Sequence, residues 1–382
     1  MTPLHKPKIV VLGMLSKHPV AGMVWITVQY LIGLERLGYE AYYVEPQGGS
    51  SGIDSAQTAA WIDGVMRSFD LGERWAFHAL HGDGRCYGLS ESRLQQLYQS
   101  AALLINLHGS AKALPELCAT GRLLYLETDP VEMEIALYEN DPTGFQFLEP
   151  HFAFFTWGGN YGNPDCRVPL PERFRFRPTR QPVILDLWEP YSNGVNAAFT
   201  TIGNWRQPGQ VEYQGEVYNW SKHYEYLKFL DLPARTPQKF ELALSSYEDE
   251  DRRLLESHGW HVRHSMDFST DLDAYRDYIA RSRGEFTVAK DQNVRLRSGW
   301  FSERSAQYLA SGRPVITQET GFSNVLPTGR GLFGFSTMDD ILAAVDSINS
   351  DYEGHSRAAT DLAREYFNYD VVLRRMLDTI GL

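Results

Sequence analysis

Two Rossmann-like α/β domains facing across a cleft are predicted for this chain from three observations. Apolar strand-like runs alternate with helical periodicity over residues 9–156, and the alternation restarts at residue 199. Between them, from about 163 to 195, a proline- and arginine-rich stretch loses periodicity and marks the junction. The length of 382 residues suits two domains of about 150–200 residues rather than one core.

In the first half, Ile9 to Met14 reads as a buried strand. Val24, Val28, Leu31 and Leu34 recur at helical spacing, and Gly38 closes that helix. Ala41 to Val44 is the next strand, followed by a glycine- and serine-rich loop from Gln47 to Asp54 that is expected to be mobile. Leu103 to Leu107, Leu123 to Leu126 and Phe152 to Thr156 are further strands. They end at His108-Gly109-Ser110, Glu127-Thr128-Asp129-Pro130 and Trp157-Gly158-Gly159-Asn160. In the second half, Phe199 to Ile202, Phe240 to Leu244 and His261 to His264 are strands, and Asp271 to Arg281 is a helix. Met338 to Ile348, Ala358 to Tyr366 and a segment from about Asp370 read as helices. The chain therefore divides into 1–180, 181–369 and a last helix over 370–382.

The segment Glu285 to Phe322 carries the strongest chemical signal. A short apolar strand leads into a loop holding Lys290 and Arg297, then a helix opens on Ser302-Glu303-Arg304-Ser305. Gly312 stops it, Pro314 to Thr317 is a strand, and Glu319-Thr320-Gly321-Phe322 follows. A helix N-terminus presents unpaired N–H groups and a partial positive charge, so it suits a phosphate. Lys290, Arg297 and Arg304 would add full charges, at the carboxyl edge where open α/β sheets bind ligands. Ser302 and Glu303 also have a purely local role available, as helix cap and dipole partner.

The net charge of −12 argues against bulk binding to nucleic acid or an anionic membrane. A local patch from Arg173, Arg175, Arg177 and Arg180 is the exception, unless these form a solvated linker. Cys86, Cys118 and Cys166 lie far apart without metal spacing and are read as reduced thiols of a cytoplasmic protein. No apolar run approaches the ~20 residues of a membrane span. Lys6 and Lys8 before Ile9 to Leu12 imitate a signal peptide, but Lys17 and His18 interrupt the run, so a first strand is the better reading. Asp249-Glu250-Asp251 and Asp271-Leu272-Asp273 sit at expected helix starts, where Asp is a routine cap, so no metal is expected. No GxGxxG follows a strand, and neither HExxH nor a Walker loop occurs.

The run Gly299 to Val315, with Thr320 to Phe322, resembles a bacterial glycosyltransferase group of GT-B architecture, related to spore-protein-type transferases, with the pattern GWFSxRSxxYLASGRPV and then TGF. The likeness extends to the segments Glu127 to Pro130 and Thr156 to Asn160. It departs from the GT-B pattern of two glutamates flanking the donor helix, which would fall near Gly299 and Gln307. The resemblance implies a metal-independent, hexosyltransferase-like enzyme. It would move sugar from a nucleotide diphosphate sugar to an acceptor hydroxyl in the interdomain cleft. Residues 1–180 would bind the acceptor and 181–369 the donor, with the last helix crossing back to the first domain. Lys290, Ser302, Arg304 and Ser305 would hold the diphosphate. Glu303 or Glu319 would hold ribose or sugar hydroxyls. Thr320, Gly321 and Phe322 would lie near the donor, and the turn with Asn204 and Trp205 would face the cleft. Trp205 has core packing as its alternative.

Transfer needs a base for the acceptor proton. Asp129 and His18 are the leading candidates, with Glu127 and His108 beside them. Asp129 has turn formation, and His18 solvation, as alternative roles. Gly22, His108, Trp157 and Asn160 complete the expected acceptor or cleft residues. The rival readings are a nucleotide-sugar 2-epimerase, a non-catalytic nucleotide-sugar or glycan-binding protein, and DNA glycosylation. Donor base and sugar, acceptor, stereochemistry and oligomeric state carry no signal in the residues.

Overall fold

The computed structural model describes residues 6–49, 52–112, 114–189 and 196–382. Residues 50 and 51 of the glycine-rich loop, and 190–195 of the proline- and arginine-rich stretch, lie outside the described residues.

The first sheet is built from β1 (Lys8–Leu12), β2 (Glu40–Glu45), β3 (Trp75–His78), β4 (Cys86–Gly88), β5 (Leu103–Leu107), β6 (Leu123–Glu127), β7 (Ala153–Thr156) and β8 (Phe176–Pro178). Its order is β4-β3-β2-β1-β5-β6-β7-β8, parallel throughout except for the β3–β4 edge pair. The second half contributes β9 (Ala198–Asn204), a β10–β11 hairpin (Gln210–Tyr213 and Glu216–Asn219), β12 (Lys239–Ser245), β13 (His261–His264), β14 (Gly284–Thr287), β15 (Val315–Gln318) and β16 (Leu332–Phe335). The second sheet is entirely parallel, ordered β13-β12-β9-β14-β15-β16. In each sheet the strand order reverses beside the first strand, β1 or β9, and ligands bind at the carboxyl end of such a switch point.

Central strands such as β1, β5 and β6 are buried end to end or nearly so, which is why they read as continuous apolar runs. β8 differs. It lies inside the stretch that shows no periodicity, pairs in parallel with β7, and alternates Phe and Arg before Pro178. A proline is tolerated there because β8 is an edge strand and need not donate on its outer side. The hairpin β10–β11, the helix Asp291–Arg295 and β16 were likewise too short to give a period.

The last helix, Tyr369–Ile380, packs on the first helix, Ala21–Arg36. The close approach is made at Gly33, where a Cβ would stand 2.6 Å from Leu373 Cδ1. Gln29 of the first helix is buried, and its Oε1 accepts from Ile184 N (3.1 Å) and Trp188 Nε1 (3.0 Å). The connecting segment between the sheets is therefore tied to the first domain just before the chain enters β9.

Candidate functional site in the interdomain cleft

The carboxyl ends of the two sheets face each other across a cleft of about 1050 Å³. From the first domain it is lined by the loop after β1, the residue after β5 and the loop after β6. The β1 loop is held from beneath. Glu45, buried at the end of β2, accepts from Ser16 N (2.8 Å), the Ser16 hydroxyl and the Tyr43 hydroxyl. Two residues further on, His18 lines the cleft, and burial, then Lys17, lowers its pKa. It is therefore a neutral imidazole at physiological pH.

His108 sits at φ +62°, the left-handed region. Its Nδ1 is 2.6 Å from Thr128 Oγ1, and its Nε2 is buried without a partner. Burial, with His18 adding, pushes its pKa down to about 3, so this ring is also neutral. Glu127 closes β6 and accepts from Thr156 Oγ1 at 2.6 Å, while its Oε1 has no partner. Burial first, then the neighbouring Glu134, holds its carboxyl well above the usual range. Glu134 is raised as well, chiefly by burial, although its Oε2 accepts from Val131 N at 2.9 Å. Two carboxylates in one dry site do not both ionise easily. Burial and Glu134 thus both favour the protonated form of Glu127 over the carboxylate.

Asp129 reaches across the cleft and pairs with Lys290. The Lys290 ammonium also lies 4.5 Å from the centre of the Trp220 ring. Trp300 Nε1 donates to Thr128 O (3.1 Å), fastening the same loop to the second domain. Thus a proposed base and a proposed diphosphate ligand are bound to each other.

On the facing wall, Asn204 at the end of β9 accepts from Ser245 Oγ. Ser302 caps the helix Glu303–Ala310 through Arg304 N (3.3 Å). Glu303 and Arg304 line the cleft. The Arg304 side chain turns back to the sheet, with Nε 2.7 Å from Glu285 Oε1 and a terminal nitrogen 3.2 Å from Thr287 Oγ1. Burial disfavours its charge, but Glu285 and Glu303 outweigh that and raise its pKa. Lys222, which carries no motif in the sequence, stands beside this group. No carboxylate among the described residues lies within salt-bridge distance of it. Burial and then Arg304 bring its pKa down to about 7.

Other expected site residues are not brought to the cleft. Trp205 is fully buried and stacks on Tyr226 at 5.7 Å. Trp157 and Phe322 lie in the core, and Ser305 is interior. Thr320 Oγ1 donates to Trp300 O (2.7 Å), and Glu319 accepts from Gly321 N. Asn160 is a strut between domains: its amide donates to Ser298 O (3.1 Å), its Nδ2 to Arg297 O (2.9 Å), and its Oδ1 accepts from Asn324 Nδ2 (2.8 Å). The loop after β15 is occupied in docking onto the loop after β7, which is why its glycine signal does not lead to the cleft. Gly22, by contrast, lines the cleft near the start of the first helix.

Among solved structures, the chain is similar to Anabaena HepE in complex with UDP-glucose (TM-score 0.58, 12% identity, 98% of this chain and 99% of that one). It is similar to an alpha-glucosyltransferase in complex with UDP and a 13-mer DNA containing a HMU base (TM-score 0.57, 9% identity, 99% and 100%). It is also similar to sucrose-phosphate synthase from Thermosynechococcus elongatus (TM-score 0.55, 12% identity, 98% of each chain). The fold is GT-B. No protein-family model and no curated protein matches the sequence. At these identities the likeness is one of architecture.

Within this GT-B cleft the two walls differ in chemistry. The second-domain wall carries Glu303 and Arg304 at a helix N-terminus, with Lys222 behind it, its ammonium 5.1 Å from the centre of the Trp300 ring, a setting for an anion. The first-domain wall carries the imidazoles of His18 and His108, both with lowered pKa, and the Glu127 carboxyl, whose pKa is raised, a setting for hydroxyl groups and proton exchange. No helix among the described residues is long and apolar enough to cross a membrane.

Proposed function

We propose that this protein is a glycosyltransferase that transfers a sugar from a nucleoside diphosphate sugar to an acceptor hydroxyl in the interdomain cleft. The observation that carries the reading is the capped helix N-terminus, where Glu303 and Arg304 line the cleft opposite His18, His108 and Glu127, with Lys222, a cation without a carboxylate partner among the described residues, beside Arg304. The solved GT-B neighbours in complex with UDP or UDP-glucose support it.

In this reading residues 181–369 hold the donor and 1–180 the acceptor. The N–H groups of the Ser302-capped helix and Lys222 hold the diphosphate, Arg304 adds its charge from behind while bound to Glu285, and Glu303 accepts from ribose or sugar hydroxyls. The bond from the anomeric carbon to the diphosphate oxygen breaks, and a bond to the acceptor oxygen forms. The nucleoside diphosphate leaves with its extra negative charge met by Lys222 and the helix N-terminus, a route that needs no metal. The acceptor proton passes to a base, for which His18 is placed and neutral. Asp129 serves instead as the partner of Lys290, and the neutral His108 ring presents Nε2 to a hydroxyl. A closed cleft limits hydrolysis of the donor.

The experiment is a thermal-shift panel with UDP, GDP, dTDP, ADP, CMP and NAD on the wild type and Lys222→Ala. Selective stabilisation by one nucleoside diphosphate, lost in Lys222→Ala, is expected. Stabilisation by NAD alone would replace the reading with a redox enzyme. Turnover without any acceptor to an epimerised nucleotide sugar would replace it with a 2-epimerase.

A further inference from the structure

The four arginines of the junction stretch have different fates. Arg173 is spent: it pairs with Glu149 at 2.6 Å and covers the rings of Phe145 and Phe174. Arg180 is partly buried, donates to Val325 O (2.9 Å) and packs on the Tyr366 ring. Arg175, just before β8, and Arg177 within it stand two residues apart at the sheet edge, and both line a recess of about 430 Å³. Arg375, from the last helix, enters the same recess from the opposite side. Phe174, Phe176 and Tyr161 form its floor, and Leu170, 43% exposed, its rim.

No carboxylate among the described residues lies within salt-bridge distance of Arg175, Arg177 or Arg375. The acids nearest in sequence, Glu172 and Asp378, make no ion pair with them; Arg374, next to Arg375, takes Asp370. Arg180, besides being buried, is held below its ordinary pKa by the like charge of Arg375. Three arginines lining one recess are suited to a doubly charged, many-acceptor anion, because each guanidinium presents a planar fork of donors. The recess has the volume of a small-ligand site, and it is a bounded pocket rather than a track for a polymer. It shares no lining residue with the interdomain cleft.

We propose that Arg175, Arg177 and Arg375 form a second site, which binds the phosphate dianion of a small molecule, free or carried on a sugar, independently of the cleft. An anion there would join the edge of the first sheet to the helix that returns from the second domain. The inference does not depend on the transferase reading.

Calorimetric titration of the whole chain with inorganic phosphate, glucose 6-phosphate and a short single-stranded DNA, each with UDP present in excess, tests it. Saturable binding of phosphate or of glucose 6-phosphate is expected, weakened about ten-fold or more in Arg175→Ala and in Arg375→Ala. Arg177→Ala provides a further variant should either of these melt early. Arg173→Ala and Lys222→Ala should leave it unchanged. Equal affinity for the two phosphates assigns the site to phosphate alone, and tighter glucose 6-phosphate adds a sugar subsite; both support the proposal. Absence of saturable binding, binding indifferent to the Arg375 and Arg175 variants, or DNA bound more tightly than either phosphate would overturn it.

Discussion

Asp129 and Lys290 form an ion pair between the two domains, 161 positions apart in sequence. Asp129 ends the loop after β6, and Lys290 precedes the short helix after β14. The Lys290 side chain is 10% exposed and that of Asp129 is 40% exposed. The pair therefore has one buried and one wetted end. Its aromatic neighbours, Trp220 and Trp300, reinforce the same junction.

Asp129→Asn should destabilise the protein by about 1–2 kcal/mol, because it leaves the Lys290 ammonium buried without its partner, discounted for solvent at Asp129. Lys290→Met should cost less, since it removes the buried charge. The double variant should recover part of the loss, which urea denaturation of the four proteins measures as a coupling energy. If Asp129→Asn unfolds like the wild type yet loses turnover, Asp129 is a base and the pair is incidental.

Nucleoside diphosphate affinity should depend on Lys222 and on its protonation. With its pKa brought to about 7, affinity should fall as pH rises from about 6 to about 8.5. Lys222→Arg keeps the charge and should remove this fall. Without ligand the sign reverses. Between about 7 and the ordinary 10.5 the unfolded chain binds the extra proton, so stability should rise with pH. Titration of affinity and melting temperature on the same samples separates the two; a flat affinity profile would exclude Lys222 from the anion site.

Which of these features could be read from the residues follows from how each is encoded. β1, β5 and β6 are buried on both faces and appear as apolar runs, and Gly38 and Gly312 end helices at positive φ. The cap Ser302 is local and so is visible. β8 has three residues and no apolar run. Lys222 has no pattern around it, because its meaning comes from Arg304, 82 positions away (304 − 222). Gly321 does adopt φ +96°, as its place in the motif suggested, but the space it frees is taken by the Asn160 amide rather than a ligand. Local chemistry was legible, whereas the choice between a structural and a ligand-facing role depended on contacts between domains.

Glu127→Gln should stabilise the protein near neutral pH by about 1 kcal/mol, the cost of keeping a proton or a charge on a dry carboxyl. Glu127 and Glu134 both titrate above the ordinary 4.5 in the folded state, so the folded state holds more protons. Their contribution is present at low pH and is lost as pH rises through the folded values. The variant should flatten that decline in melting temperature as pH rises above the ordinary 4.5. The amide oxygen can still accept from Thr156, so an equally steep decline would mean that the pair does not share a proton.

Gly299→Ala tests the strut between domains. Gly299 has φ +80°, and a Cβ there would overlap the backbone nitrogen of Asn160. An L side chain in this region costs about 1–2 kcal/mol, and separating two backbones adds to it, so a loss of about 2–4 kcal/mol is expected. The Asn160 amide, now donating to Ser298 O at 3.1 Å, should exchange faster with solvent deuterium. Gly64→Ala is the control. Gly64 lies within the helix Ser55–Ser68 and a Cβ there meets nothing within 4 Å. Relief of the glycine's backbone entropy should make that variant about 0.5–1 kcal/mol more stable. Equal melting temperatures for the two variants would show that the close approach at Gly299 does not hold the domains together.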